Sequence, residues 1–246
     1  IVGMMAAIRA RELGAKVIIA DKANTLRSGD AGMGNDHFVS YIPEVHPAFG
    51  TYMTDLKHGQ MGQRLNMMDK KVVEHWFSHT YDIVKMWDSW GIPMKYEGNW
   101  EFAGHAYPGK TRAFLKYSGV HQKPVLTEQA KKVGAEIMNR VMIFDLLKDK
   151  SGAVVGALGL DTREDTIYIY EAKAVILGTG GIGRLYPGPT PRWDSNRSHV
   201  INVTGDGRGM AFRAGAALQN LELTARHAGP KYYSRAGQAT WVGVLR

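Results

Sequence analysis

Residues 174–186 read AVILGTGGIGRLY and residues 203–222 read VTGDGRGMAFRAGAALQNLE, two glycine clusters with a short polar loop between them. In the first, the apolar run Ala174, Val175, Ile176 and Leu177 stops at Gly178-Thr179-Gly180-Gly181, with Gly183 beyond. Such a run predicts a buried parallel strand, and the glycines after it let the backbone turn and approach a bulky ligand. In the second, Thr204-Gly205-Asp206-Gly207 opens a predicted helix over Met210 to Gln219. Backbone N–H groups at a helix start favour an anion, and the adjacent carboxylate can hold hydroxyls.

The start of the chain supplies a matching unit. Ile1-Val2-Gly3 is expected to end a strand, Met4 to Leu13 to form a helix closed by Gly14, and Lys16 to Ala20 to form a second strand ending at Asp21. An acidic residue at that place in a βαβ unit holds the ribose hydroxyls of a dinucleotide, which makes Gly3, Asp21 and Lys22 candidate cofactor contacts. The G-x-G-x-x-G turn is absent, since Gly3 stands alone between strand and helix. The expectation is that about five residues of a glycine-rich loop are missing between Val2 and Met4.

With GTGG at 178–181, TGDG at 204–207, the RAGA helix and the acidic residue after it, the chain resembles the succinate dehydrogenase and fumarate reductase flavoprotein superfamily. Arg27-Ser28-Gly29 extends the likeness. The resemblance implies FAD, with Arg27, Ser28, Thr179, Gly180, Gly181, Thr204, Gly205 and Asp206 among its contacts. In succinate dehydrogenases a histidine bound covalently to FAD stands where this chain has Gly29, so the implied FAD is non-covalent, at a potential suited to a reductive role. The Arg-Ser-Gly form and the tail Gly229 to Arg246 are closer to adenylylsulfate reductase flavoprotein subunits. In the superfamily the loop carrying Gly29, Gly32, Gly34, Asn35, Asp36 and His37 lies against the flavin. Gly32 and Gly34 would allow close approach, with the three polar residues toward substrate. The competing reading of that loop is an Asx-rich turn capping the next segment. His121 lies in a segment that in the superfamily crosses the flavin, against the plainer reading of a loop histidine.

His227 follows Glu222 by five residues, where fumarate reductases carry a substrate-contacting histidine within Gln-x-His-Pro. Here the run is Ala225-Arg226-His227-Ala228, so the reading of a substrate ligand stands beside that of a structural histidine. His37, Arg226, His227 and Arg235 are the candidate catalytic residues, the arginines because guanidinium matches the oxygens of an anionic substrate. The implied activity is that of a flavoprotein subunit exchanging electrons between FAD and a small anion, fumarate- or succinate-like or adenylylsulfate-like, and an iron–sulfur partner, as in anaerobic metabolism.

The chain has 246 residues, 44% hydrophobic and 22% charged, enough for one full core. It contains no cysteine, so an iron–sulfur cluster would need ligands from another subunit. No apolar run reaches the length of a membrane span, and a cytoplasmic location is expected. The net charge of +8 raises a different function, a non-catalytic basic module for nucleic acid or an acidic partner. Its basic residues, such as Arg9, Arg11, Lys70, Lys71, Lys131, Lys132, Arg208 and Arg213, are scattered rather than gathered beside aromatics. His75 and His79 have the helical spacing of a metal pair but no third ligand, and no metal is expected.

The expected fold is α/β: a Rossmann-like FAD-binding domain with a parallel sheet, an inserted three-stranded β-meander and helical insertions. Residues 1–40 and 140–225 would form the FAD-binding domain, 41–139 a helical and loop insertion, and 226–246 the start of a truncated capping domain. Within the insertion, Val72, Val73, Trp76, Ile83, Val84 and Trp87 predict a helix over Asp69 to Trp90, Tyr96 to Lys116 reads as a loop, and Thr127 to Met138 as a second helix. Val141–Leu147, Val154–Leu160 and Thr166–Tyr170 make the meander, with a turn at Lys150-Ser151-Gly152.

Overall fold

A computed structural model describes residues 1–58, 65, 67–103, 110–182 and 202–221. In chain order its elements begin α1 (Val2–Glu12), β1 (Ile18–Asp21), a 3-10 turn (Asp30–Met33), β2 (His37–Val39), α2 (Phe49–His58) and α3 (Lys70–Ser89). They continue as β3 (Phe102–Ala103), β4 (Phe114–Lys116), α4 (Gln122–Lys132), β5 (Glu136–Asn139), β6 (Val141–Lys148), β7 (Val154–Asp161), β8 (Ile167–Glu171) and α5 (Asp206–Arg213). Two compact units emerge, one of Ile1–Met33 with the chain from Lys123 onward, the other built on Gly34–Gln122.

The first unit is mixed α/β. Met4, Ala7 and Ile8 form the buried stripe of α1, and Leu126, Thr127 and Ala130 that of α4, the i, i+3, i+4 spacing of a core-facing helix. The two helices meet where Thr127 Oγ1 donates to Met4 Sδ at 3.3 Å and Arg11 Nε donates to the Val133 carbonyl at 3.0 Å. β1 and β5 run parallel in register from Ile18↔Glu136 to Asp21↔Asn139. β6, β7 and β8 form the expected antiparallel meander. Its first turn is held by Asp149, whose Oδ1 accepts from Ser151 N at 2.8 Å and Ala153 N at 3.1 Å.

Several expectations fail in this unit. Ile1–Gly3 is not a strand end: Val2 and Gly3 are helical, and Met5 N already donates to the Ile1 carbonyl at 3.0 Å. The helix is therefore continuous from Val2 through Met4. The helix expected to Met138 ends at Lys132, because Gly134 turns the chain at φ +81° and Glu136 N then donates to the Val17 carbonyl at 3.1 Å. Glu136–Asn139 pairs with β1 instead. Ala174–Leu177 forms no ladder with any described strand, and Ile176 is 65% exposed. An apolar run becomes a buried strand only with hydrogen-bonded neighbours on its edges. α5 stops at Arg213 rather than Gln219, with Gly215 at φ +101°.

The second unit is organised by α3. Asp69 caps its start, accepting from Lys71 N at 2.8 Å and Val72 N at 3.3 Å. Its buried residues are Val73, Phe77, Thr80, Val84 and Trp87. Val73, Val84 and Trp87 of the expected stripe are buried, whereas Val72 and Trp76 are exposed and Phe77 and Thr80 face the core instead. Phe77 and Val73 join Val39, Tyr52, Met53, Leu56, Leu65 and Ala113 in one core. The segment expected as a loop holds two short strands, and β2, β4 and β3 form an antiparallel sheet in that order.

Candidate functional site

The end of β1 places Asp21 at the centre of a hydrogen-bonded group in the first unit. Its Oδ1 accepts from Ala23 N at 2.8 Å, forming an Asx turn, and its Oδ2 accepts from Ser28 Oγ at 2.7 Å. Lys22, the next residue, turns to the other glycine cluster. Its Nζ donates to Asp206 Oδ2 at 2.6 Å and to Thr204 Oγ1 at 3.0 Å. Thr204 Oγ1 in turn donates to Asp206 Oδ1 at 2.9 Å. Burial acts to raise the Asp206 pKa, but the bonds from Lys22 and Thr204 together hold it below the ordinary carboxylate range.

The glycine segments close on this group. Gly205 is the residue before α5, and Asp206 sits in that helix's first turn. Ile182 and Thr204 form an antiparallel bridge, and Thr179 packs so closely on Gly207 that a side chain there would collide with its hydroxyl. Gly178 lies against the first turn of α1: a Cβ on it would come within 2.7 Å of Gly3 N. No side chain caps α1, and the position where Gly3 would carry a Cβ faces open space. Gly180 and Gly181 follow on the exposed and half-buried surface. Gly3, Asp21, Lys22, Ser28, Thr179, Gly180, Gly181, Thr204, Gly205 and Asp206 all belong to this unit. Arg27, Gly29 and Gly32 do too. Arg27 donates to the Gly32 carbonyl at 3.5 Å, and exposed Gly29 has φ +70°.

Gly34, Asn35, Asp36 and His37 fall in the second unit, at the entry to β2. Gly34 has φ +89°, and a Cβ on it would sit 2.6 Å from Val120 Cα, so only glycine lets the two strands of backbone meet here. Gly119 N donates to the Asn35 carbonyl at 3.0 Å and Tyr117 N to the Asp36 carbonyl at 2.9 Å, continuing the β2–β4 ladder. Asp36 Oδ1 lies 2.6 Å from His37 Nδ1, and this bond, ahead of any other influence, holds the Asp36 pKa down. The His37 ring meets Phe114 edge-on, with centroids 5.5 Å apart. Burial pushes the Tyr117 phenol up, and its hydroxyl bonds Gln122. His121 is exposed. Arg226, His227 and Arg235 lie outside the described residues.

One residue of the first unit escaped the motif reading. Lys123, in the first turn of α4, is 5% exposed and donates from Nζ to Ser28 O at 2.8 Å and Ser28 Oγ at 2.9 Å. Its sequence signal is a lysine in phase with Leu126, Thr127 and Ala130, where helical spacing calls for an apolar side chain. Among the described residues no group of three or more histidine or acidic side chains could hold a metal, and no helix is long and apolar enough to cross a membrane.

The FAD binding domain family matches residues 1–239. The fumarate reductase flavoprotein subunit of a Serratia species is 28% identical over 232 residues, 92% of this chain and 36% of that protein. The adenylylsulfate reductase subunit alpha of Megalodesulfovibrio gigas is 24% identical over 191 residues, 70% of this chain and 28% of that protein. Among solved structures, adenylylsulfate reductase from Archaeoglobus fulgidus aligns with a TM-score of 0.69 at 29% identity, over 86% of this chain and 33% of that one. A flavocytochrome c3 fumarate reductase aligns with a TM-score of 0.74 at 22% identity, over 93% and 41%, a likeness of fold. The chain spans about a third of the length of these relatives. With β1 ending on Asp21, the Thr204–Asp206 turn tied to Lys22, and a match that runs over residues 1–239, the chain belongs to the FAD binding domain family.

Proposed function

We propose that this chain is the FAD-binding portion of an oxidoreductase flavoprotein subunit that exchanges electrons between a small anionic substrate and an iron–sulfur partner. The observation that carries the reading is the joining of the end of β1 to the distant Thr204–Asp206 turn, Lys22 with Thr204 and Asp206, beside Asp21 with Ser28 and, in the same unit, Gly178 against the start of α1. These residues fit a dinucleotide. The uncapped first-turn amides of α1 offer donors to a diphosphate, and open space beside Gly3 admits it. Asp21 accepts from ribose hydroxyls, each of its oxygens keeping lone-pair capacity beyond the bond it already receives. Thr204, Gly205 and Asp206 present a polar turn and helix start to the other part of the ligand.

When bound, FAD supplies two-electron exchange with a substrate and one-electron exchange with a partner. The protein's share is binding, orientation and charge. In the second unit, the 2.6 Å contact between Asp36 Oδ1 and His37 Nδ1 keeps the ring fixed, which suits His37 to orient an anion. Arg226, His227 and Arg235 are proposed to hold the substrate's anionic oxygens. Gly29 offers no nucleophile for a covalent link, so attachment is non-covalent, and the lower potential that follows favours reduction of the substrate. The substrate is fumarate- or succinate-like or adenylylsulfate-like, chemistries carried by the names of the relatives. Reducing the flavoprotein anaerobically and adding fumarate, or adenylylsulfate in a parallel sample, tests this. Flavin reoxidation by one of them is expected, and reoxidation by neither would overturn the assignment.

A further inference from the structure

Lys123 is the one lysine buried among the described residues. Its ammonium has two acceptors, both on Ser28, and among the described residues no carboxylate forms an ion pair with it. Burial pushes its pKa below lysine's usual range, and the Asp21 carboxylate pulls it back up. A buried, unpaired ammonium costs stability, and an apolar side chain would fill this place on α4 at lower cost. The neighbours say what the charge is for. Ser28 Oγ receives a hydrogen from Lys123 and gives its own to Asp21 Oδ2, so the cation stands behind the carboxylate with one hydroxyl between them. A diphosphate at the start of α1 is anionic, and so is Asp21. Their repulsion is strongest in a partly buried site of low dielectric.

We propose that Lys123 is a positioning residue of the dinucleotide site, which orients Asp21 through Ser28 and offsets its negative charge so that an anionic diphosphate can bind beside it. This rests on the FAD reading above. Titrations of the chain with FAD, and displacement by ADP or by uncharged adenosine, separate the two claims. Lys123→Met should weaken FAD and ADP by about tenfold or more, the value of one charge-assisted contact, and leave adenosine almost unchanged. Lys123→Arg, which keeps the charge, should restore most of the loss. Ser28→Ala keeps the buried lysine and the packing of α4 but cuts the link to Asp21. It should show the same selective loss, and it keeps the test open if Lys123→Met does not fold. Equal losses for ADP and adenosine, or no loss in either variant, would overturn the role of Lys123 while leaving FAD binding intact. Failure of the unaltered chain to bind FAD would overturn the functional reading and this inference with it.

Discussion

Asp21 and Asp206 are carboxylates in one unit with different tasks, and each yields a residue-scale prediction. Asp21 ends β1 and accepts from Ser28 and Ala23. Asp21→Asn keeps the shape but loses the anion, and it should weaken FAD by roughly tenfold to a hundredfold in a fluorescence titration, as loss of a charged acceptor does. Asp206 is held below the usual carboxylate range, so the native state binds fewer protons there than the unfolded chain. Its contribution is complete above the ordinary carboxylate pKa and is lost as pH falls through the depressed value. Thermal melts from neutral pH down through the carboxylate range should therefore fall less steeply for Asp206→Asn than for the unaltered chain. Identical slopes would show that the Lys22 pair contributes nothing to stability. Both aspartates were legible from sequence because each ends a patterned run, a strand in one case and a glycine turn in the other. Lys123 was not, because its meaning comes from Ser28, distant in sequence and near in space.

At the scale of elements, local pattern succeeded where neighbours in sequence make the contacts. The meander strands pair with adjacent strands through short turns, and all three were read near their true bounds. It failed where distant partners decide. Glu136–Met138 reads as a helix end until β1 is alongside, and Ala174–Leu177 reads as a buried strand although no described strand pairs with it. In α3 the helix and half of its stripe were clear, but Trp76 drew the reading toward an exposed position while the neighbouring Phe77 was passed over. Phe77 is fully buried in the core of the second unit whereas Trp76 is 42% exposed. Phe77→Ala should cost about 3–5 kcal/mol in chemical denaturation, and Trp76→Ala much less. The reverse order would place Trp76 rather than Phe77 in the core.

At the scale of the molecule, the chain carries the proposed dinucleotide site in its first unit and a polar β2 entry, Asn35 to His37, in its second. A family match over residues 1–239 agrees with the reading of the chain as an FAD-binding domain. That much was legible because phosphate and ribose recognition uses backbone amides, glycines and a carboxylate at fixed places along the chain. Substrate choice was not legible, since Arg226, His227 and Arg235, the residues proposed for it, have side-chain chemistry that several anions share. The basic residues behind the net charge of +8 are scattered along the sequence rather than gathered beside aromatics.

The central claim is non-covalent FAD at the end of β1, and a single sample tests it. The purified chain is saturated with FAD, freed of excess by gel filtration, and precipitated with acid. The account predicts that flavin comes through the column with the protein in near one-to-one amount and appears entirely in the acid supernatant. A protein fraction without flavin would contradict the site, and flavin remaining in the washed precipitate would contradict its non-covalent attachment.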